Sequence, residues 1–569
     1  MLLAKRKNTR ECLKTSSERL YVLHAEIALT SACLLFVLFL INIYCYVVRN
    51  WPCWDEIFMF QTWQNGKIAG GEWPLWAAVV PYFFYHYFGT TSLKSLQLVG
   101  MCFSVAGAAG VNYLVLKRVR LDSYTKSVLL IFFNVCLLSR TDGVNDFYYF
   151  ARLSVLEYPT RIFAGFFIIY LLIAFCGNDD SRPSKTTTCV LGLCMTFLVY
   201  AHHVLVLSLL AMWCTIVGTY LLRRPLNPKE LLRLLFPFFL IFVVPLATGI
   251  LVLVFDPHYQ ITEVRKHLYP YYFRYNDNFE KTVFGYAFYV LYGLKEIAYQ
   301  SIFPTAWFPK IAVNSVWSWL PIAFVFAGTA STLYRRDPFR AGLASFILLD
   351  ILLLVTANEF ERFPFGCMRY ALAEVFTVQL MAGFGIAAIL RLCVDGIKRC
   401  APQMDREKVS TFLFVNATLA LATLGLFFGY RQTKEQMQTA QRYQKEAERI
   451  VKDYGTLQGA TFLTTADIPL SFLLPDAFFT GNTVLQMPQM HIADRKVVPK
   501  ELLRVCEGAT GKDRLFSFTL VDFNERVYKD YYQCINDNYE PVKKVKLWNT
   551  FIVEWRARSL ARGGEGHGM

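Results

Sequence analysis

Residues 26–48, EIALTSACLLFVLFLINIYCYVV, decide the fold. The run is apolar after its first residue, and it matches the ~20 residues that a helix needs to cross a bilayer. A basic leader precedes it, with Lys5, Arg6, Lys7, Arg10, Lys14 and Arg19. That leader is long, and no small-residue cleavage site follows the run. The sequence therefore predicts a retained span rather than a cleaved signal, with residues 1–25 on the cytoplasmic side.

Comparable runs recur along the chain. Eleven candidate spans are read at 26–48, 93–115, 124–139, 162–176, 187–202, 204–222, 234–255, 311–333, 341–357, 371–392 and 409–430. The break at Ala201-His202-His203 is either a hinge between two short spans or a polar contact inside a bundle. With eleven spans, the inside loops hold Lys117-Arg118-Arg120, Arg182 with Lys185, Arg223-Arg224, Arg335-Arg336 and Lys398-Arg399. All are basic, as the positive-inside rule requires. The expected fold class is thus a polytopic α-helical membrane protein with about eleven transmembrane helices. Composition agrees: 55% of the 569 residues are hydrophobic, 16% aromatic and only 18% charged. The formal charge of +15 is gathered in the leader and short loops, so it belongs to topology and not to nucleic-acid binding. The fifteen cysteines are mostly single and set in apolar runs, as at Cys33, Cys102, Cys194 and Cys214, and read as small buried hydrophobes. None has the spacing of a metal site.

Of the regions this topology puts outside, three loops and the tail matter most. Loop 49–92 is aromatic and reads as interfacial helix from Trp73 to Gly89. Loop 140–161 carries Arg140, Asp142, Asp146, Arg152, Glu157 and Arg161, and loop 256–310 carries Arg265, Lys266, His267 and Arg274. Residues 431–569 change character. A helical stretch, 434–454, has i,i+4 charge pairs. Strand-like runs follow at 460–463, 483–487, 514–518 and 550–555, which predicts a small soluble α/β domain on the outer face. Its two cysteines, Cys506 and Cys534, are either bridged or free.

Trp54-Asp55-Glu56 stands just past the first span. Two adjacent carboxylates at that depth are expensive unless they bind or catalyse something. Together with the basic leader, the single preceding span and the large outer loop, this pair resembles the acidic motif of the GT-C superfamily of membrane glycosyltransferases. The nearer likeness is to protein O-mannosyltransferases and lipid A aminoarabinose transferases. Trp73-Pro74-Leu75, followed by Tyr82-Phe83-Phe84-Tyr85-His86-Tyr87-Phe88-Gly89, resembles their interfacial Pro-Leu-aromatic stretch. Those relatives often carry a basic residue two before the Pro, where this chain has Glu72; Lys67 is nearby. The likeness covers residues 20–430 in architecture and about forty residues as motif.

The resemblance implies a GT-C fold and transfer of a hexosyl or pentosyl group from a polyprenyl-phosphate donor to a hydroxyl of a glycan, lipid or protein. Asp55 would be the general base, with Glu56 beside it, and Glu157 or Asp146 would be a second acid that positions the acceptor. Either of those two could instead pair with Arg152 or Arg161. Arginine forks hold phosphate oxygens bidentately, so Arg362, Arg369, Arg265, Lys266 and Arg161 are the candidate donor-phosphate ligands. The structural alternative for Arg362 and Arg369 is pairing with Glu359, Glu361 or Glu374. No cofactor and no resident metal are expected. The competing readings are a transporter, flippase or polymerase of lipid-linked glycans, and a scaffold whose outer domain binds a partner. The lone glycosylation sequon, Asn416-Ala417-Thr418, falls within a predicted span. That leans towards a bacterial inner membrane with a periplasmic site; the alternative is the endoplasmic reticulum.

Overall fold

The computed structural model describes residues 16–49, 93–119, 121–138, 157–177, 205–223, 283–302, 316–335, 337–361, 373–464, 481–486, 515–520, 535–546 and 550–558, with isolated positions in 186–195 and 227–243. Ten α-helices precede a five-stranded sheet among these residues: α1 Ser16–Arg49, α2 Leu93–Lys117, α3 Ser123–Leu138, α4 Glu157–Cys176, α5 Leu205–Arg223, α6 Val283–Ile302, α7 Leu320–Arg335, α8 Pro338–Glu361, α9 Val375–Cys400 and α10 Arg406–Tyr454. Among the described residues, five stretches are long and apolar enough to cross a membrane: Val22–Val48, Leu98–Lys117, Leu205–Leu222, Val375–Cys400 and the helix Arg406–Tyr454. The described residues fall into two compact units. The first reaches to Tyr44 and takes up again from Leu96 to Lys434; the second comprises those from Glu435 onward with Cys45–Arg49 and Leu93-Lys94-Ser95.

In the first unit α9 is the central helix. It packs against α3, α4, α6, α7 and α8, and every residue from Val375 to Gly385 is buried. Small residues permit the closest crossing. A methyl added at Gly385 would lie 2.8 Å from the carbonyl carbon of Phe324 on α7 and 3.0 Å from the amide nitrogen of Gly328. Without a hydrophobic drive between helices in lipid, such backbone approach is what gains dispersion contact. Polar side chains tie other pairs. Asn112 on α2 and Asn134 on α3 exchange amide hydrogen bonds of 3.3 and 2.9 Å. Asn42 on α1 donates to Thr433 on α10 at 2.6 Å, and His24 meets Thr418 at 3.1 Å. The sequon threonine is therefore buried inside the continuous helix α10.

Charges gather where α3 and α8 begin. Asp122 caps α3 by accepting from the Thr125 amide at 3.0 Å, and Arg391 of α9 donates to its other carboxylate oxygen. Asp337 caps α8 through the Phe339 amide at 3.0 Å and pairs with Arg340, whose guanidinium lies 4.2 Å from the Phe384 ring centre.

In the second unit the strands are β1 Thr461–Thr464, β2 Thr483–Gln486, β3 Leu515–Leu520, β4 Tyr539–Lys546 and β5 Thr550–Ala557, in the order β2-β1-β3-β5-β4. β1 runs parallel to β2 and β3, and β5 runs antiparallel to β3 and β4. Gly459, at φ +70°, makes the turn from α10 into β1, a conformation that glycine adopts without penalty. Phe462 stacks on Phe516 at 5.1 Å, Tyr454 packs edge-on against Phe516, and Trp555 Nε1 donates to Ser517 Oγ at 2.9 Å.

Three expectations need correction. Residues 283–302, placed in an outer loop, form helix α6, which packs on α7, α8 and α9. The interior pair Lys295-Glu296 lowers the apolarity of the stretch and hid it. The edge strand β4 was missed because Pro541 and three lysines read as loop; proline and lysine are the residues that exposed sheet edges carry. Cys33, Cys102, Cys194 and Cys214 lie on exposed helix faces rather than in the core. Apolar context alone does not separate the two, because a face turned to lipid is as apolar as a buried one.

Candidate functional site

Asp55, Glu56, Arg265, Lys266, Arg362 and Arg369 lie outside the described residues, as do Asp146, Arg152 and the cysteines Cys506 and Cys534. What the structure supplies is the framework from which their segments leave. α1 ends at Arg49, six residues before Asp55. α8 ends at Glu361, so Arg362 follows it directly in the chain. Glu374, five residues after Arg369, then holds the N-cap position of α9 without a side-chain capping bond. Helices α4, α8 and α9 pack on one another, so the segments bearing Glu157, Arg362 and Arg369 are anchored on neighbouring elements.

Glu157 opens α4. Arg161 lies one turn further on, is 1% exposed, and is the largest fully buried side chain among the described residues. Gly165, one more turn along, abuts the start of α9: a methyl there would lie 2.7 Å from the Ala373 carbonyl oxygen. A guanidinium taken this far from water loses several kcal/mol of solvation unless its charge is met, so its position is not incidental.

Two further buried polar centres were not singled out from sequence. The first joins three helices. Asp350 lies in the middle of α8, Glu374 at the N-cap of α9 and Ser208 in the first turn of α5, with exposures of 0%, 0% and 2%. Glu374 and Ser208 both lie against the Asp350 carboxyl. Yet none of the four carboxyl oxygens of the acid pair meets an N–H or O–H in hydrogen-bonding geometry. Glu374, named from sequence as a partner for Arg362 or Arg369, faces another acid. The signal for this centre was present: Asp350 interrupts the apolar run Phe346-Ile347-Leu348-Leu349-Asp350-Ile351-Leu352-Leu353, and an ionisable residue inside a span is a functional candidate by default.

The second centre is on α6. Lys295 donates to Glu296 at 2.8 Å, both side chains being buried, and Gln300 reaches the other Glu296 oxygen at 3.4 Å. The Lys295 ammonium also lies 5.2 Å from the Tyr292 ring centre and 5.8 Å from that of Trp319, so the charge is shared between a carboxylate and two aromatic faces. One turn along α6, the Ser301 carbonyl accepts from Gln379 of α9 at 2.8 Å. Among the described residues, no group of three or more His, Cys, Asp or Glu side chains converges as a metal site would require.

Compared with known proteins, the chain matches no family model and no curated protein sequence.

Proposed function

We propose that this chain is a multi-pass membrane glycosyltransferase of the GT-C type, moving a sugar from a polyprenyl-phosphate donor to an acceptor hydroxyl at the outer face of the membrane. The observation that carries the reading is the placement of Asp55-Glu56 six residues beyond the end of α1, a helix with a 27-residue stretch able to cross the bilayer. In this reading Asp55 takes the acceptor proton as the oxygen attacks the anomeric carbon, a contribution of about a hundred- to ten-thousand-fold. Arg362, Arg369, Arg265, Lys266 and Arg161 are the pool from which the leaving lipid phosphate draws its positive charge. Eleven spans, a cytoplasmic N-terminus and a bacterial inner membrane complete the proposal.

One observation favours a second reading, a transporter of lipid-linked glycans. Ionisable residues buried inside a helical membrane unit are the mark of transport pathways, and Asp350 with Glu374 is such a pair. One experiment separates the two. The purified chain is reconstituted in liposomes with a radiolabelled polyprenyl-phosphate sugar and a mixed acceptor extract. A transferase releases polyprenyl phosphate and labels the acceptor. A transporter moves intact donor across the bilayer and leaves its glycosidic bond unbroken, and that outcome would displace the proposal.

A further inference from the structure

One end of the helical unit gathers basic residues from two turns. α2 ends at Lys117 and α3 begins at Ser123; α9 ends at Cys400 and α10 begins at Arg406. The two turns lie together. The Tyr124 and Thr411 hydroxyls are 2.6 Å apart, the Tyr124 ring packs against Phe414, and Arg391 reaches both Asp122 and Thr125. Part of the positive charge is spent on the fold. Arg391 pairs with Asp122, Arg406 pairs with Asp395 at 2.6 Å, and the Lys398 ammonium closes the second turn through the Pro402 and Met404 carbonyls. Lys117, Arg118, Arg399 and Lys408 are exposed, and among the described residues none of them forms an ion pair. The acids left without a basic partner in these turns are Asp405, which caps α10 through the Glu407 amide at 2.9 Å, and Glu407 itself. The corner therefore keeps a positive surplus. We propose that it is a binding surface for anionic phospholipid, with Lys117, Arg399 and Lys408 meeting the headgroup phosphates.

The second observation is where these cations stand. Lys117 lies one turn beyond Tyr113 on α2, Lys408 one turn before Phe412 on α10, and Arg399 two turns beyond Leu392 on α9. Tyr113, Phe412 and Leu392 are 54%, 67% and 70% exposed. Spacings of four and seven put the members of each pair on one helix face. At ~1.5 Å per residue, each cation stands about 6–10 Å further along than its apolar neighbour, in every case toward the same end of the unit. The headgroup layer beside a ~30 Å hydrocarbon core is ~5–8 Å deep. All three helices carry stretches long and apolar enough to cross a membrane. With the apolar side chains against acyl chains, the cations arrive at phosphate depth on flexible stems. Arg399 offers a fork to phosphate oxygens, and Lys117 and Lys408 offer compact charges. A soluble anion would have no use for the apolar member of each pair. The surface is at the opposite end of α9 from Glu374 and Arg369, so it stands apart from the sugar-transfer reading.

The test uses the full-length chain in a neutral detergent, titrated with mixed micelles that carry phosphatidylglycerol or phosphatidylcholine with the same acyl chains. Bound lipid is counted by native mass spectrometry. The expected result is retention of phosphatidylglycerol about tenfold or more over phosphatidylcholine, weakening as salt rises from ~0.05 to ~0.5 M. Arg399→Gln and Lys408→Gln, both at exposed positions, are each expected to lower phosphatidylglycerol affinity about fivefold and to leave phosphatidylcholine unchanged. Arg442→Gln, which removes an exposed cation from the polar part of α10, is expected to change neither. Equal retention of the two lipids would overturn the proposal, as would unchanged affinity in both glutamine variants or an equal loss in Arg442→Gln. Displacement of phosphatidylglycerol by millimolar inorganic phosphate would overturn it too, and would assign the cations to a soluble anion.

Discussion

Gly385→Ala places a methyl group at the tightest crossing in the helical unit. The added carbon would lie 2.8 Å from the Phe324 carbonyl carbon and 3.0 Å from the Gly328 nitrogen, with the Phe324 carbonyl oxygen nearer still. All three neighbours are backbone, so no side chain can swing aside, and α7 and α9 have to separate. Overpacking of this kind costs ~1–3 kcal/mol, with the upper end appropriate when backbone must move. Alanine returns roughly 0.5–1 kcal/mol through helix propensity. The net expectation is a loss of about 2 kcal/mol. Gly396, on the same helix, has open space where its methyl would go. Gly396→Ala therefore keeps only the propensity gain and should be neutral or up to ~1 kcal/mol stabilising. The assay is apparent melting of both variants in one detergent, read by size-exclusion recovery after heating at a fixed rate, because membrane proteins seldom unfold reversibly. A drop of about 2–3 °C is expected for Gly385→Ala and none for Gly396→Ala. Equal melting of the two would refute the close α7–α9 crossing and with it the central place of α9.

Other predictions concern single contacts. Burial raises the Asp122 carboxyl, but the Thr125 amide and the Arg391 guanidinium outweigh it and hold the group below the ordinary carboxylate value of 3.8. A depressed folded value means that the contribution is fully present above that ordinary value and fades as pH falls through the lower one. Asp122→Ala should thus cost about 1 kcal/mol at neutral pH through the lost cap, and the gap to wild type in acid-titrated melting should close below pH 4. Trp555→Phe removes the donor to buried Ser517 and should cost ~1–3 kcal/mol, seen as faster hydrogen exchange in β3 and β5; unchanged exchange would contradict the 2.9 Å contact. Arg362→Ala or Arg369→Ala should weaken binding of a polyprenyl-phosphate sugar, and lysine at the same positions should restore only part of it, because charge returns without the fork. Normal affinity in both alanine variants would move the phosphate site to Arg265-Lys266.

How far the fold was legible depended on the apolar pattern. Runs without interior charge, such as 26–48 and 409–430, are helix in the structure. α6 was not legible, because Lys295 and Glu296 look like loop residues until their mutual pairing and the rings of Tyr292 and Trp319 are seen to shelter them. α10 continues unbroken from the apolar run into the polar stretch after Lys434, where sequence alone reads two elements. Strands β1, β2, β3 and β5 announced themselves through β-branched and aromatic residues, whereas β4 was concealed by the lysines and proline that suit its edge position. Arg161, named as a candidate donor-phosphate ligand, is buried, which no sequence pattern around it announces. Asp350 was overlooked although one acid in an apolar helix is itself a signal; its partner Glu374 comes from the next helix, and no spacing rule connects the two.

The central claim rests on a proton acceptor at Asp55. The most direct measurement is sugar transfer from a polyprenyl-phosphate donor by purified Asp55→Asn, compared with wild type under donor saturation. Asparagine preserves shape and removes the basic oxygen, so the account predicts turnover at least about a hundredfold lower with donor binding intact. Glu56→Gln, pointing roughly 100° away on a helix, should cost less. Near-normal turnover by Asp55→Asn would contradict the account.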